Sequence, residues 1–223
     1  SLWIFFVPLL AINICLLISQ NYDFLENTIF KVSQICRSGF SIPYFDGSLS
    51  ISRASRCFPQ YLVFKPAMLF TALLLYFYWR NNNQLINKYK HTNINYKFKT
   101  FGILSAVFLA IHSIFLGIKF DIQIYKLMRR VVLLLFIIFE IIAQGILVYH
   151  LFKIKVQIVE FINKNVLVLK ILLVTILATV AILSVPLLVT KGNTHFKHAL
   201  EWNYFVGVIL FYLLSKFFWR RTT

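Results

Sequence analysis

Apolar residues gather in six long stretches that alternate with shorter polar segments along the chain. A helix needs about 20 residues to cross the hydrocarbon core of a membrane, and each stretch comes close to that length. None shows the apolar-polar alternation of a membrane barrel strand, so each stretch predicts a helix. The pattern therefore predicts an all-α fold, a polytopic transmembrane bundle of six helices in a single domain. The predicted spans are 2–19, 61–79, 101–118, 131–152, 166–189 and 200–218.

The polar segments predict how the bundle is oriented. Six spans put both termini on one side, and Lys and Arg are almost equally divided between the two sides. The long first loop, 20–57, has a lower density of basic residues, and four of the seven acidic residues lie on its side. Because cytoplasmic loops carry an excess of Lys and Arg, we predict a lumenal or extracellular loop at 20–57 and a basic cytosolic linker at 80–100.

Composition also indicates a membrane protein. Hydrophobic residues make up 60% of the chain, whereas soluble domains contain roughly 45–50%. The four Trp residues lie at the ends of apolar stretches and predict an aromatic belt at the membrane surfaces: Trp3, Trp79, Trp202 and Trp219. The net charge of +16 does not indicate nucleic acid, because the basic residues lie between the apolar stretches and form no known binding motif. We expect membrane lipids, and proteins within the membrane, as partners.

The cysteines do not predict a metal site. Cys15 lies inside the first apolar stretch, and the other two, Cys36 and Cys57, share the first loop without a C-x-x-C pair. They form either a disulfide, if the loop faces an oxidising compartment, or two free thiols. His195, His198 and Glu201 are spaced three apart, but we interpret the histidines as solvated loop residues. Neither a metal nor a cofactor is expected.

Polar residues inside an apolar stretch indicate a structural or functional role, because an ionised group costs about 2.5–3.5 kcal/mol there. Glu140 and Gln144 share one face of the predicted fourth helix, which indicates a packing pair, a proton or ion relay, or contact with a lipid headgroup. Lys170 is close enough to a helix end to reach the interface with its long side chain. Lys65 and Glu201 begin two helices on the same membrane face, which predicts an ion pair that is structural or binds a phosphate.

Two segments carry a resemblance to a known family. Residues 42–79 read IPYFDGSLSISRASRCFPQYLVFKPAMLFTALLLYFYW, and residues 199–219 read ALEWNYFVGVILFYLLSKFFW. The first contains Pro43, Ser50, Ile51 and Ser52, then Pro59, Gln60, Tyr61 and Phe64; the second contains Glu201, Trp202 and Phe211. Together with the helix count and loop lengths, they resemble the Frag/DRAM/Sfk family of six-span eukaryotic membrane proteins.

The resemblance implies a role in a membrane-lipid pathway. Members are linked to GPI-anchor lipid remodelling, to autophagy at lysosomes and to phosphoinositide-kinase assembly at the plasma membrane. On this basis we expect an accessory or lipid-binding factor in GPI-anchor remodelling, rather than an enzyme, in the Golgi or ER membrane. Its first loop would be lumenal. Residues for a phosphate-bearing headgroup would gather at that face of the bundle: Asp46, Ser50, Ser52, Arg53, Arg56, Lys65, His198 and Glu201.

Two other functions compete with this hypothesis. The chain would also suit an accessory structural subunit of a large organellar membrane complex, including one of the mitochondrial inner membrane. A small-solute transporter fits less well, because the chain lacks Gly- or Pro-interrupted spans at matching places in two halves. No catalytic motif is present in the sequence, so no catalytic residue is assigned.

Overall fold

The computed structural model describes residues 1–90, 96–118, 123–189 and 192–219. Within these ranges the chain is helical and has no β-strand, which confirms the all-α class. Five helices in this part of the chain are long and apolar enough to cross a membrane, which agrees with a multi-pass membrane protein. They are Leu2–Gln20, Gln60–Tyr89, Lys97–Phe115, Leu127–Lys153 and Lys164–Ser184. The predicted sixth span lies in a further helix, Thr194–Phe218, which is not among these five.

The described chain contains eight α-helices, of which six are long. The long helices are α1 (Leu2–Gln20), α4 (Gln60–Lys90), α5 (Lys97–Phe115), α6 (Gln123–Lys153), α7 (Lys164–Val189) and α8 (Thr194–Phe218). Two short helices, α2 (Pro43–Asp46) and α3 (Ile51–Ser55), lie in the first loop. That loop also contains the 3-10 turns Tyr22–Leu25 and Gln34–Cys36.

The six long helices form a closed ring in which they follow one another in chain order. Each one contacts the next along the chain, and α8 returns to contact α1. We call the end that holds residues 21–59 the first-loop end; it also holds the start of α8, because α2 and α3 pack against that helix. The opposite end holds both chain termini that the structure describes, where Ile162 and Trp219 form a β-bridge. The ring places the polar residues of different spans opposite one another.

The segment predicted as a basic linker, 80–100, is largely helical. α4 continues through it to Lys90, and α5 begins at Lys97; positions 91–95 lie outside the described residues. Ile86 is fully buried, and the Asn83 side chain accepts a hydrogen bond from the Tyr96 backbone N–H. Most of the described part of this segment is therefore helical, because tertiary packing outweighs the weak helix propensity of its Asn residues.

The predicted aromatic belt is wrong for two of the four Trp residues. Trp79 and Trp202 are both 0% exposed, whereas Trp3 is 66% exposed. Trp79 packs against Gly102 of α5 so closely that a β-carbon on that glycine would overlap the indole ring. Trp202 donates a hydrogen bond from its indole Nε1 to the Leu49 carbonyl at 2.7 Å. Trp79 therefore packs α4 against α5, and Trp202 joins α8 to the first loop inside the protein.

Candidate functional site

The first part of α8 binds the first loop through side chain to backbone hydrogen bonds. His195 Nδ1 lies 3.2 Å from the Asp46 carbonyl oxygen, and His198 Nδ1 lies 3.0 Å from that of Gly47. Asn203 donates to the Tyr44 carbonyl at 2.7 Å. Because a carbonyl can only accept, each histidine carries a proton on Nδ1 in these contacts. His195 and His198 thus contact the loop backbone; His195 is exposed, as predicted, whereas His198 is half-buried.

Glu201 also binds backbone groups of the first loop. Its carboxylate accepts hydrogen bonds from the N–H groups of Ser52 and Ile51, which are the first residues of α3. Ser50 caps the same helix by accepting a hydrogen bond from the Arg53 N–H at 3.2 Å. Negative groups stabilise the exposed N–H groups at a helix start. Glu201 and Ser50 therefore hold α3 in place beside α8.

The predicted ion pair between Lys65 and Glu201 is wrong. The described residues contain two ion pairs, and both belong to Glu26, which binds Lys31 and Arg37. Lys65 instead donates from Nζ to the Ile114 carbonyl of α5 at 3.2 Å. The two residues do lie near the starts of helices at the same end, but Lys65 binds the backbone of α5 and Glu201 faces the first loop.

Asp46 closes a tight turn in the first loop. Its carboxylate accepts backbone hydrogen bonds from Ser48 and Ile42, each at 2.8 Å. These bonds, with that from Ser48 the strongest, hold the pKa of Asp46 below its usual value. Gly47 has a φ of +58°, and a β-carbon there would overlap the His195 carbonyl. Asp46 thus shapes the surface on which α8 docks.

A group of cations is left without acidic partners at the first-loop end. We call Arg53, Arg56, Lys65 and Arg129 the basic cluster. Burial lowers the pKa of the Arg56 guanidinium, and the positive charges of Arg129 and Arg53 lower it further. In the part of the chain that the structure describes, no carboxylate lies within 4.0 Å of any of the four. Like charges repel when they are brought together, so the cluster attracts an anion.

Contacts with the backbone hold the basic cluster in position. Arg53 donates from Nε to the Ile35 carbonyl at 2.8 Å. The Arg56 carbonyl lies against Gly117, where a β-carbon would come within 2.6 Å of the oxygen. Arg129 Nε is buried and has no hydrogen-bond partner among the described residues. A buried donor of this kind costs about 1–3 kcal/mol unless a ligand accepts from it.

The eight residues predicted to bind a headgroup therefore separate into two groups. Asp46, Ser50, Ser52, His198 and Glu201 lie together, and their polar groups bind or shape the first-loop backbone. Arg53, Arg56 and Lys65 belong to the basic cluster. Cys36 and Cys57 are joined by a disulfide that closes the first loop, which is the bonded alternative of the two left open by the sequence.

A second polar site lies inside the helix ring. Glu140 and Gln144 of α6 are both 0% exposed, and Gln144 Nε2 donates to Glu140 Oε1 at 3.0 Å. Ser105 of α5 lies 2.5 Å from Glu140 Oε2, and the Tyr212 hydroxyl of α8 also contacts Oε1. Three helices therefore meet at one carboxyl group.

Lys170 does not reach the membrane interface, so that prediction is wrong. Its side chain is 1% exposed, and Nζ donates to Ser215 Oγ of α8 at 2.8 Å. The ammonium also lies 4.0 Å from the centre of the Phe211 ring, which is favourable for a cation. Tyr78 of α4 joins this group through a 2.8 Å hydrogen bond to the same serine.

Sequence reasoning missed three of the residues that complete these sites. Arg129 carries a signal, since it is a basic residue at the border of the fourth predicted span. Ser105 is expected to bond its own helix, and it does contact the Gly102 carbonyl at 2.8 Å, but it also reaches Glu140. Tyr212 carries no such signal, because nothing along the chain shows that it faces α6.

The resemblance to the Frag/DRAM/Sfk family stays a prediction, since it depends on short segments of sequence. No family model, no curated protein and no solved structure matches this chain.

Proposed function

We propose that this chain is a six-span membrane protein that binds the headgroup of an anionic lipid at the basic cluster. The observation that carries the proposal is the buried, unpartnered Nε of Arg129 beside Arg56, with no carboxylate near either among the described residues. Guanidinium groups bind phosphate through paired hydrogen bonds, and each such bond is stronger than a neutral one. A phosphate would satisfy the donor and reduce the repulsion within the cluster.

The sixth span of this proposal is α8. Its contacts with α7 and α1, which complete the ring, support a sixth crossing. Several polar residues of its first part bind the first loop: His198, Glu201, Trp202 and Asn203. Paired in this way, they cost less inside a membrane than they would alone.

The first-loop end faces the lumen or the extracellular side in this proposal. The Cys36–Cys57 disulfide supports that orientation, because disulfides persist in oxidising compartments. The basic cluster would then meet lumenal headgroups, and the termini would be cytosolic. Together with the resemblance, this favours an endomembrane location and GPI-anchor lipid remodelling as the pathway.

We assign the protein a binding or accessory role in that pathway. The two titratable side chains at this end, His198 and Glu201, are both bound to the first-loop backbone. The basic cluster itself supplies positive charge and hydrogen-bond donors, which suit recognition of a headgroup.

The proposal predicts that loss of two clustered arginines removes a bound lipid. The protein purified in mild detergent is incubated with phosphatidylinositol or phosphatidylcholine, and native mass spectrometry measures the lipid that stays bound. Replacing both Arg56 and Arg129 by Gln should weaken retention of phosphatidylinositol roughly tenfold or more, since each charged hydrogen bond contributes about 1.5–3 kcal/mol. Retention of phosphatidylcholine should change little.

Arg130→Gln is the matched control, because Arg130 is the exposed neighbour of Arg129. The double variant removes one more positive charge than the control. If only general attraction to anionic lipid were at work, the two variants would differ in lipid-binding free energy by about 1 kcal/mol. Equal retention by wild type and double variant would overturn the headgroup site. Unaltered lipid on GPI-anchored proteins in cells that carry only the double variant would overturn the pathway.

A further inference from the structure

Glu140 lies in the interior of the ring, where both of its carboxyl oxygens have partners. Gln144 Nε2 and the Tyr212 hydroxyl contact Oε1, and Ser105 Oγ lies 2.5 Å from Oε2. These partners come from α5, α6 and α8, so the carboxyl group is surrounded by polar groups while it stays fully buried.

The hydrogen atoms in this site can be counted. Ser105 has one hydroxyl proton but two acceptors in range, the Gly102 carbonyl at 2.8 Å and Glu140 Oε2 at 2.5 Å. If Glu140 is ionised, Ser105 donates to Oε2. If Glu140 carries a proton on Oε2, it donates to Ser105 Oγ, and Ser105 donates to the Gly102 carbonyl. Rotation of one hydroxyl therefore accommodates either form, and no heavy atom has to move.

The charged groups near Glu140 do not fix its carboxyl group as either ionised or protonated. Tyr212 faces it from α8 and Tyr78 from α4, while Lys170 of α7 binds Ser215. Among the described residues, no basic nitrogen lies within 4.0 Å of the Glu140 oxygens. An unpaired buried charge costs several kcal/mol, whereas donors to both oxygens stabilise it. The surroundings of Glu140 therefore contain a stabilising contribution for each of its two forms.

The space beside Glu140 limits what else could bind there. A cavity of about 20 Å³ touches Glu140, Tyr212 and Thr71. That volume holds about one water molecule, so neither a lipid headgroup nor an organic solute fits. A proton is the ligand that the site can take.

We propose that Glu140 is a reversible proton-binding site in the interior of the bundle, with the Ser105 hydroxyl as the group that reorients between the two states. Binding adds one proton to Oε2 and removes one negative charge from the protein interior. The site is separate from the basic cluster, and it stands whether or not that cluster binds lipid.

Infrared difference spectroscopy of the purified protein tests this site. As the pH of the sample is raised, the wild type should lose a carboxylic C=O stretching band that shifts in D₂O. Glu140→Gln should lack this titrating band. Glu160→Gln should keep it, because Glu160 is an exposed carboxylate outside the ring. Titrating carboxylic bands that are identical in wild type and Glu140→Gln would overturn the proposal.

Ser105→Ala provides a second test if Glu140→Gln fails to fold. Alanine removes the hydroxyl from both states, but the ionised state loses the stronger, charge-assisted bond. The midpoint of the band's titration should therefore move to higher pH by about one unit. An unchanged midpoint would rule out the hydroxyl rotation and with it the proposed site.

Discussion

At the residue scale, the polar side chains of this protein are explained by partners that lie far away in the sequence. Lys170 binds Ser215 and the Phe211 ring, and Glu201 binds the start of α3. The sequence predicts that each of these charged groups needs a partner, since apolar surroundings penalise charge. It does not predict the partner, because helix periodicity identifies faces and not which faces meet.

Lys170 yields a prediction at this scale. Replacing it with Met keeps the length of the side chain but removes a buried ammonium that has no carboxylate among the described residues, so the protein should unfold at a higher temperature. Ser215→Ala should instead destabilise the protein by about 1–3 kcal/mol, because it leaves the ammonium without an acceptor. Thermal unfolding can be followed with a thiol-reactive dye, since Cys15 is a buried free thiol.

Lys164→Met is the control, because Lys164 is exposed at the start of α7 and should have little effect on unfolding. If Lys170→Met destabilises the protein as much as Ser215→Ala does, the ammonium itself is required and the explanation fails.

At the scale of helices, close packing depends on small residues at single positions. α4 and α5 approach each other where Trp79 lies on Gly102, and no β-carbon fits between them. The sequence shows the helices and roughly where they begin, but a glycine in an apolar run could equally face lipid. Tertiary contact also extends α4 well past its apolar stretch, which hydropathy cannot show.

Two glycine substitutions test this packing. Gly102→Ala should destabilise the protein by about 1–3 kcal/mol, because the added methyl group forces the Trp79 ring or the helix to move. Gly145→Ala should be neutral or slightly stabilising. Its β-carbon would lie 3.7 Å from Val174 Cγ1, an ordinary contact, and alanine favours the helix. Unfolding temperatures in one detergent compare the two, and equal effects would contradict the packing described.

At the scale of the whole molecule, one ring of helices separates two different ends. The first-loop end contains the disulfide, the short helices and the basic cluster, and the other end contains Ser1 and Trp219. Hydropathy predicts such an arrangement, since successive long apolar helices cross the membrane in opposite directions. Charge alone barely orients it, because the basic residues are nearly balanced between the two sides.

Glycosylation in eukaryotic cells tests the orientation. Gly39→Asn creates an Asn-Phe-Ser sequon in the first loop, at an exposed position with no atom within 4 Å of the new β-carbon. We expect this variant to be glycosylated, because the first loop is lumenal in the proposed topology. Gln84→Ser creates Asn-Asn-Ser on the extension of α4 and should stay unmodified. Glycosylation of the second variant alone would reverse the topology, and modification of neither would contradict a lumenal first loop.

Hydropathy along the chain is enough to predict a membrane environment and an all-α fold. Long apolar stretches must be helical in a membrane, because only a helix satisfies every backbone hydrogen bond within one segment. The sequence also identified Glu140, Gln144 and most of the cations at the first-loop end. Only the tertiary structure decided which of them meet, because the closed ring brings Tyr212 and Ser105 to Glu140 and brings Arg129 to Arg56. Such contacts depend on helix rotation and loop path, which no local pattern encodes.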